Sequence, residues 1–207
     1  PKIWLTLSPD LERVLRLGLA AHADINSLTS PTDPIDGTQP YVSGLSSWCL
    51  SLAYLRDGEI RYGVVVNPPL GETFEGGVGR PATVGGRRAV PHAGRSVRDG
   101  ITCIGYSPRI GADEILPVIE RLLERGGMYF RNGSGALTLC YVAAGRLVGY
   151  VEPHINAWDC LAGIAIVRAA GARTNDCLTG DALVSGNPVV AGPHAVYDEL
   201  VEILGTR

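Results

Sequence analysis

Apolar residues recur at helical spacing near the start of the chain. Leu11, Val14, Leu15, Leu17, Leu19 and Ala20 predict a helix over about Leu11 to Ala23, with Ser8 or Asp10 as its cap. A polar break follows from Asn26 to Thr32. The pattern then changes period. Trp48 to Leu55 and Ile60 to Val66 read as two strands joined by the turn Arg56-Asp57-Gly58-Glu59. Thr73 to Gly77 and Ala82 to Val84 read as further short strands between glycine-rich turns, with Arg87 to Val90 a weaker one. From Ile101 strands and helices alternate. Strands are predicted at Ile101 to Tyr106, Tyr129 to Arg131, Leu147 to Val151 and Val189 to Ala191. Helices are predicted at Asp113 to Arg125, with Pro117 in the first turn, and at Gly135 to Ala144, Ala157 to Gly171 and His194 to Leu204. A meander followed by alternation predicts an α/β sandwich with two sheets. There is no internal repeat and no long linker. The chain therefore reads as a single domain over residues 1–207, with two fused lobes of about 1–100 and 101–207.

Composition narrows the class. Of 207 residues, 45% are apolar and 19% charged, enough for a globular core. The net charge of −3 argues against a nucleic-acid-binding surface. No apolar run has membrane-spanning length, and the first residues lack the basic start and apolar stretch of a signal peptide. Five cysteines without CxxC spacing read as reduced, buried thiols. The expectation is a cytoplasmic protein with no membrane partner.

Three places can carry chemistry. In Asp33-Pro34-Ile35-Asp36-Gly37-Thr38, two carboxylates stand three apart around a proline that stiffens the backbone. If the segment leaves a strand and bends, both can face one cavity, and grouped hard oxygens suit Mg²⁺. If a helix or turn begins near Gly37, its free N–H groups make an anion site beside the metal. A plain Pro-Gly turn with Asp caps fits the six residues as well. In Trp158-Asp159-Cys160-Leu161-Ala162-Gly163, Asp159 is either an ordinary N-cap, a third carboxylate for the same cavity, or both. Glu152, at the end of a predicted strand, is either an exposed acid or a substrate contact.

Asp-Pro-Ile-Asp-Gly-Thr followed far downstream by Trp-Asp-x-x-Ala-Gly resembles the paired signature of the inositol monophosphatase family. Gly133-Ser134-Gly135-Ala136 opening an apolar helix, Ala143-Ala144-Gly145-Arg146-Leu147, and Ala169-Ala170-Gly171 are similar to the family's intervening text. The resemblance runs from about Asp33 to the C-terminus. It implies the layered αβαβα sandwich of the sugar phosphatase type. It also implies a phosphate monoesterase using two or three Mg²⁺ ions, lithium sensitivity and a homodimer. Asp33, the Ile35 carbonyl, Asp36 and Asp159 would bind metal. Gly37 and Thr38 would donate backbone hydrogen bonds to phosphate, and the Thr38 hydroxyl would orient the attacking water. Gly135 and Glu152 would contact substrate. Inositol-1-phosphate is the first substrate implied. Histidinol phosphate, sugar phosphates and nucleotide phosphates are alternatives, and a phosphate-ester-binding homologue without turnover is a further one. His154 near Glu152 could recognise another group or be structural.

One part of the family pattern has no counterpart. A Gly-Glu-Glu-like segment, whose glutamate binds metal, and an acidic partner for the motif threonine are both missing. Upstream of Asp33 the carboxylates are Asp10, Glu12 and Asp24. Relative to the family, a segment between about residues 25 and 26 is absent. Either this chain omits it, or the protein has lost it and is a weak phosphatase. The retained trio Asp33, Asp36 and Asp159 favours omission, since buried like charges without metal are costly. An intact mass near 21.9 kDa would favour loss.

Overall fold

The computed structural model describes residues 28–29 and 32–205. The predicted helix over Leu11 to Ala23 lies outside them.

The meander is one seven-stranded sheet. Its strands are β1 (Leu28–Thr29), β2 (Thr32–Asp36), β3 (Cys49–Arg56), β4 (Glu59–Asn67), β5 (Glu72–Gly77), β6 (Arg80–Val84) and β7 (Arg87–Arg88). Neighbours run antiparallel throughout, and both β1 and β2 pair with β3. The short helix α1 (Thr38–Val42) follows β2 directly. The alternating half builds a five-stranded sheet from β8 (Ile101–Ile104), β9 (Met128–Phe130), β10 (Gly149–Ile155), β11 (Arg173–Thr174) and β12 (Asn187–Gly192), in the order β11-β12-β10-β8-β9. Here β8 pairs in parallel with both β9 and β10, while β12 runs antiparallel to β10.

Helices α3 (Gly135–Ala143) and α4 (Ala157–Ala170) lie between the sheets. Both are apolar nearly all round, as a helix buried on every side must be. Leu137, Leu139, Cys140, Leu161, Ile164 and Ile166 are fully buried there, with Val65 and Phe74 of the large sheet in the same core. On the far face of the small sheet, α2 (Ala112–Glu124) and α6 (Tyr197–Leu204) bury Val118, Leu122, Leu200 and Ile203 in a second core. A short α5 (Ala182–Ser185) precedes β12. The described residues thus supply a β-α-β-α series, four layers of the expected αβαβα sandwich.

Close approach of α4 to the large sheet depends on Gly63 of β4. A Cβ there would overlap the Ala162 carbonyl oxygen, which is backbone and cannot turn away. Gly63→Ala is expected to destabilise the protein by about 3 kcal/mol or more, the scale of overpacking a core, read as a lowered midpoint in urea unfolding.

Several sequence expectations shift. Pro117 sits in the second turn of α2, which starts at Ala112. It lies past the four N-terminal positions that lack an intrahelical partner, so its missing N–H removes one backbone bond of the helix. The closing helix begins at Tyr197 and not His194, because Pro193 and the turn after it precede it. The strand expected to stop at Val151 continues to Ile155. Its pairing with β8 ends at Val151 and its register with β12 shifts between Glu152 and Ile155, so Pro153 falls where the ladder is already irregular.

Candidate functional site

Asp33 and Asp36 belong to a strand, not to a Pro-Gly turn. Residues three apart on a regular strand face opposite sides of the sheet. Here Asp33 pairs with Ser51 and Asp36 with Cys49, three residues against two, so β2 carries a one-residue bulge. The extra residue turns the two carboxylates to one side. The same register ties the strand to α4. Ser51, opposite Asp33, donates through its hydroxyl to the Trp158 carbonyl at 3.4 Å, one residue before Asp159. Asp159 is not the N-cap of α4. Asn156 holds that position, and Asp159 is the third helical residue, in the positive first turn. Oxygens of Asp33, Asp36 and Asp159 all lie within 4.8 Å of one another.

Asp36 is held most firmly. Its Oδ2 accepts from the Ser134 hydroxyl at 2.6 Å, the Ala136 N–H at 2.8 Å and the Cys49 thiol at 3.7 Å. Ser134 is also the N-cap of α3, its oxygen accepting from Leu137 N–H at 3.2 Å. Burial pushes Asp36 up to about 6 despite the donors from Ser134 and Ala136, with the charge of Asp33 adding to the rise. Asp159 is pushed up to about 8, first by burial and then by Asp33, Asp36 and Glu152. Asp33 accepts from Ile35 N–H at 2.8 Å within the bulged stretch of β2.

Gly37 caps α1 in the left-handed region at φ 87°, and a Cβ there would stand 2.7 Å from the Ser47 carbonyl oxygen. A helix does therefore start beside the two carboxylates. Its first residue, Thr38, donates through the hydroxyl to the Ile35 carbonyl at 3.1 Å. That bond uses one of the oxygen's two lone pairs.

Glu152 is neither exposed nor at a strand end. It is the fourth of seven residues in β10 and is buried. Its Oε2 accepts from the hydroxyl of Tyr150, two residues earlier on the same face. Burial pushes it up to about 7, Asp36 adds to the rise, and Arg131 and Arg109 oppose it. His154 contacts the Ser185 carbonyl at 2.8 Å, a structural link to α5.

Asp33, Asp36, Gly37, Thr38, Gly135, Glu152 and Asp159 line one cavity of about 360 Å³, a volume suited to a small molecule. Every side chain named from the sequence for metal, water or substrate is in it except His154. Sequence reasoning missed Ser134, Arg109 and Arg131, which line it too. Ser134 was legible as a helix cap, a serine before an apolar run, but its bond to Asp36 spans 98 residues. A larger cavity of about 980 Å³, lined by Glu59, Arg80, Arg168 and Asp176 among others, shares no residue with this one, and its two acids are not among the carboxylates that converge on one point. The chemistry points to the smaller.

The donor set fits a hard divalent cation. Three carboxylate oxygens converge, and burial and mutual repulsion hold two of them partly protonated at neutral pH, a tension that a cation would relieve. Oxygens on octahedral Mg²⁺ stand about 3 Å apart when adjacent and about 4.2 Å apart when opposite, a spacing compatible with a trio gathered within 4.8 Å.

Comparison with known proteins agrees with this arrangement. The chain is 35% identical over 172 residues to the fructose-1,6-bisphosphatase/inositol-1-monophosphatase of Thermotoga maritima, covering 83% of this chain and 66% of the relative. It is 32% identical over 172 residues to the Nus factor SuhB of Haemophilus influenzae, covering 82% of this chain and 64% of that one. It thus spans slightly less than two-thirds of these relatives' lengths. The solved structure of an inositol monophosphatase from Anabaena superposes with a TM-score of 0.81 at 27% identity, over 94% of this chain and 81% of the other. The family model described as the inositol monophosphatase family matches residues 19–205, both signature motifs included, and with the bulged strand, the helix α4 and their three aspartates in register the chain belongs to that family.

Proposed function

We propose that this protein is a Mg²⁺-dependent phosphate monoesterase. The observation that carries the reading is the convergence of Asp33 and Asp36 from β2 with Asp159 from α4 beside the start of α1. Asp33, the Ile35 carbonyl, Asp36 and Asp159 would hold two or three Mg²⁺ ions. Bound there, the metal supplies Lewis-acid activation of water and neutralises charge on the phosphoryl oxygens.

The chain's own groups do the rest. Gly37 and Thr38 offer backbone N–H groups to the phosphate. The Thr38 hydroxyl, fixed on the Ile35 carbonyl, orients water beside the metal ligands. Ser134, the Ala136 N–H and Cys49 hold Asp36 by one oxygen, which leaves the other to face the cavity. Glu152, buried and steadied by Tyr150, takes a hydroxyl of the leaving group, and Gly135 gives the substrate room beside it. No side chain acts as nucleophile, and the five cysteines, all buried and unpaired, stay out of the reaction.

Glu152 favours a polyol ester, with inositol-1-phosphate first. Unpaired thiols support a reducing, cytoplasmic setting. Among the described residues no helix is long and apolar enough to cross a membrane. Lithium sensitivity and a homodimer are part of the proposal through the family.

Phosphate release in Mg²⁺ tests the reading, over a panel of inositol-1-phosphate, histidinol phosphate, fructose-1,6-bisphosphate and a 3′-phosphoadenosine nucleotide. Turnover that stops with chelator and returns with Mg²⁺ is expected. Binding of every ester with release from none would mark the protein as a phosphate-ester-binding homologue instead.

A further inference from the structure

Resting on the phosphatase reading above, in which Glu152 takes a hydroxyl of the leaving group, we propose that Tyr150 and Gly105 are positioning residues for that carboxylate. Through it they set the preference for a polyol ester over one without hydroxyls.

The sheet register creates the contact. Tyr150 and Glu152 stand two apart in β10 and share a face. On one side β8 sets Cys103 beside Tyr150 and Ile104 beside Val151, and the Gly105 N–H then donates to the Val151 carbonyl at 2.9 Å. Gly105 therefore stands next to Glu152. On the other side β12 sets Ala191 against Tyr150 and Val189 against Glu152, both apolar and fully buried.

Among the described residues, the Tyr150 hydroxyl is the one hydrogen-bond donor to Glu152, and it takes Oε2. Tyr150 has no room to swing away. It is 1% exposed, in the core between the sheets, and α3 begins over its hydroxyl: a Cβ on Gly135 would lie 3.4 Å from it. Gly105 supplies the space. A Cβ there would overlap Glu152 Oε2 and stand 2.7 Å from the Tyr150 hydroxyl. The carboxylate thus fills the volume where any other residue at 105 would put its side chain.

Glu152 needs this support. Its side chain is long and flexible, and fixing it costs entropy that a rigid, packed partner offsets. The charges of Asp36 and Asp159 also act against its own. With Oε2 fixed, Oε1 meets a leaving-group hydroxyl at one distance and one angle. A site built this way rejects an analogue lacking the hydroxyl, because its buried acceptor is then left without a partner.

Inositol-1-phosphate against cyclohexyl phosphate tests this, the same ring with and without hydroxyls. In Mg²⁺ the wild-type kcat/KM should favour inositol-1-phosphate by about 100-fold or more. Tyr150→Phe should cut that ratio by about tenfold, mainly through KM for inositol-1-phosphate. In Glu152→Ala the ratio is already low, and adding Tyr150→Phe should leave it there, a coupling that a merely structural tyrosine would not show. A wild-type ratio near one, equal losses on both esters in Tyr150→Phe, or a further fall in the double variant overturns the proposal. Should Tyr150→Phe fail to fold, Gly105→Ala is read the same way, since its Cβ displaces the flexible end of Glu152. If neither ester is cleaved, the wider panel above tells whether the phosphatase reading fails, and calorimetric Kd values for the uncleaved pair decide the role of Tyr150 by the same ratio.

Discussion

Asp36→Asn should lower Mg²⁺-dependent phosphate release by at least about 100-fold, while in chelator the protein melts no lower than wild type. The two halves of this result have one cause. Asp36 is buried, and its charge is disfavoured enough to push it up to about 6. Asparagine removes that charge. Its amide oxygen can still accept from Ser134 and Ala136, the bonds that now fix Oδ2. The fold therefore keeps its contacts and loses a repulsion, whereas the metal loses its best-anchored ligand. A phosphate-release assay and a thermal melt in EDTA check both halves. Unchanged turnover would remove Asp36 from the metal site. A collapse of the melt would make it a structural residue first.

Mg²⁺ should stabilise the protein strongly at pH 8 and hardly at all near pH 4. The sign follows from the carboxylates. Asp36, Glu152 and Asp159 titrate near 6, 7 and 8 in the folded protein, above their ordinary values of 3.8, 4.5 and 3.8. Between those limits the native state binds more protons than the unfolded chain, so in chelator these groups make stability fall as pH climbs from about 4 to about 8. A divalent cation needs the same groups ionised, so its binding strengthens over that window. At a concentration of 100 Kd it adds about 2.7 kcal/mol, roughly 5–10 °C in a chain of this length. Melting curves in Mg²⁺ and in EDTA at several pH values measure the difference. A gap that shrinks with rising pH would contradict a site built on these acids.

How much of this was legible in the residues depends on how local each feature is. The Asp33 and Asp36 pair and the first turn of α4 are short motifs, and their text was enough to name three candidate ligands. The bulge that brings Asp33 and Asp36 to one face was not legible, since it exists only as three residues of β2 set against two of β3. Glu152 was located but misplaced, because Pro153 reads as a strand end until the pairing with β8 is seen to stop at Val151. Arg109 and Arg131 carry no local signal; the parallel order of β8, β9 and β10 makes them neighbours of the site. Helix and strand periods gave the two halves of the fold, whereas the placing of α3 and α4 between the sheets is set by tertiary packing of their all-round apolar surfaces.

The most direct measurement is the anomalous signal of Mn²⁺ in crystals of the protein soaked with that ion. The account predicts a peak within coordinating distance of Asp33, Asp36 and Asp159 together. A saturating soak that leaves this position without a peak, or that puts the ion on other side chains while the three carboxylates diverge, would contradict it.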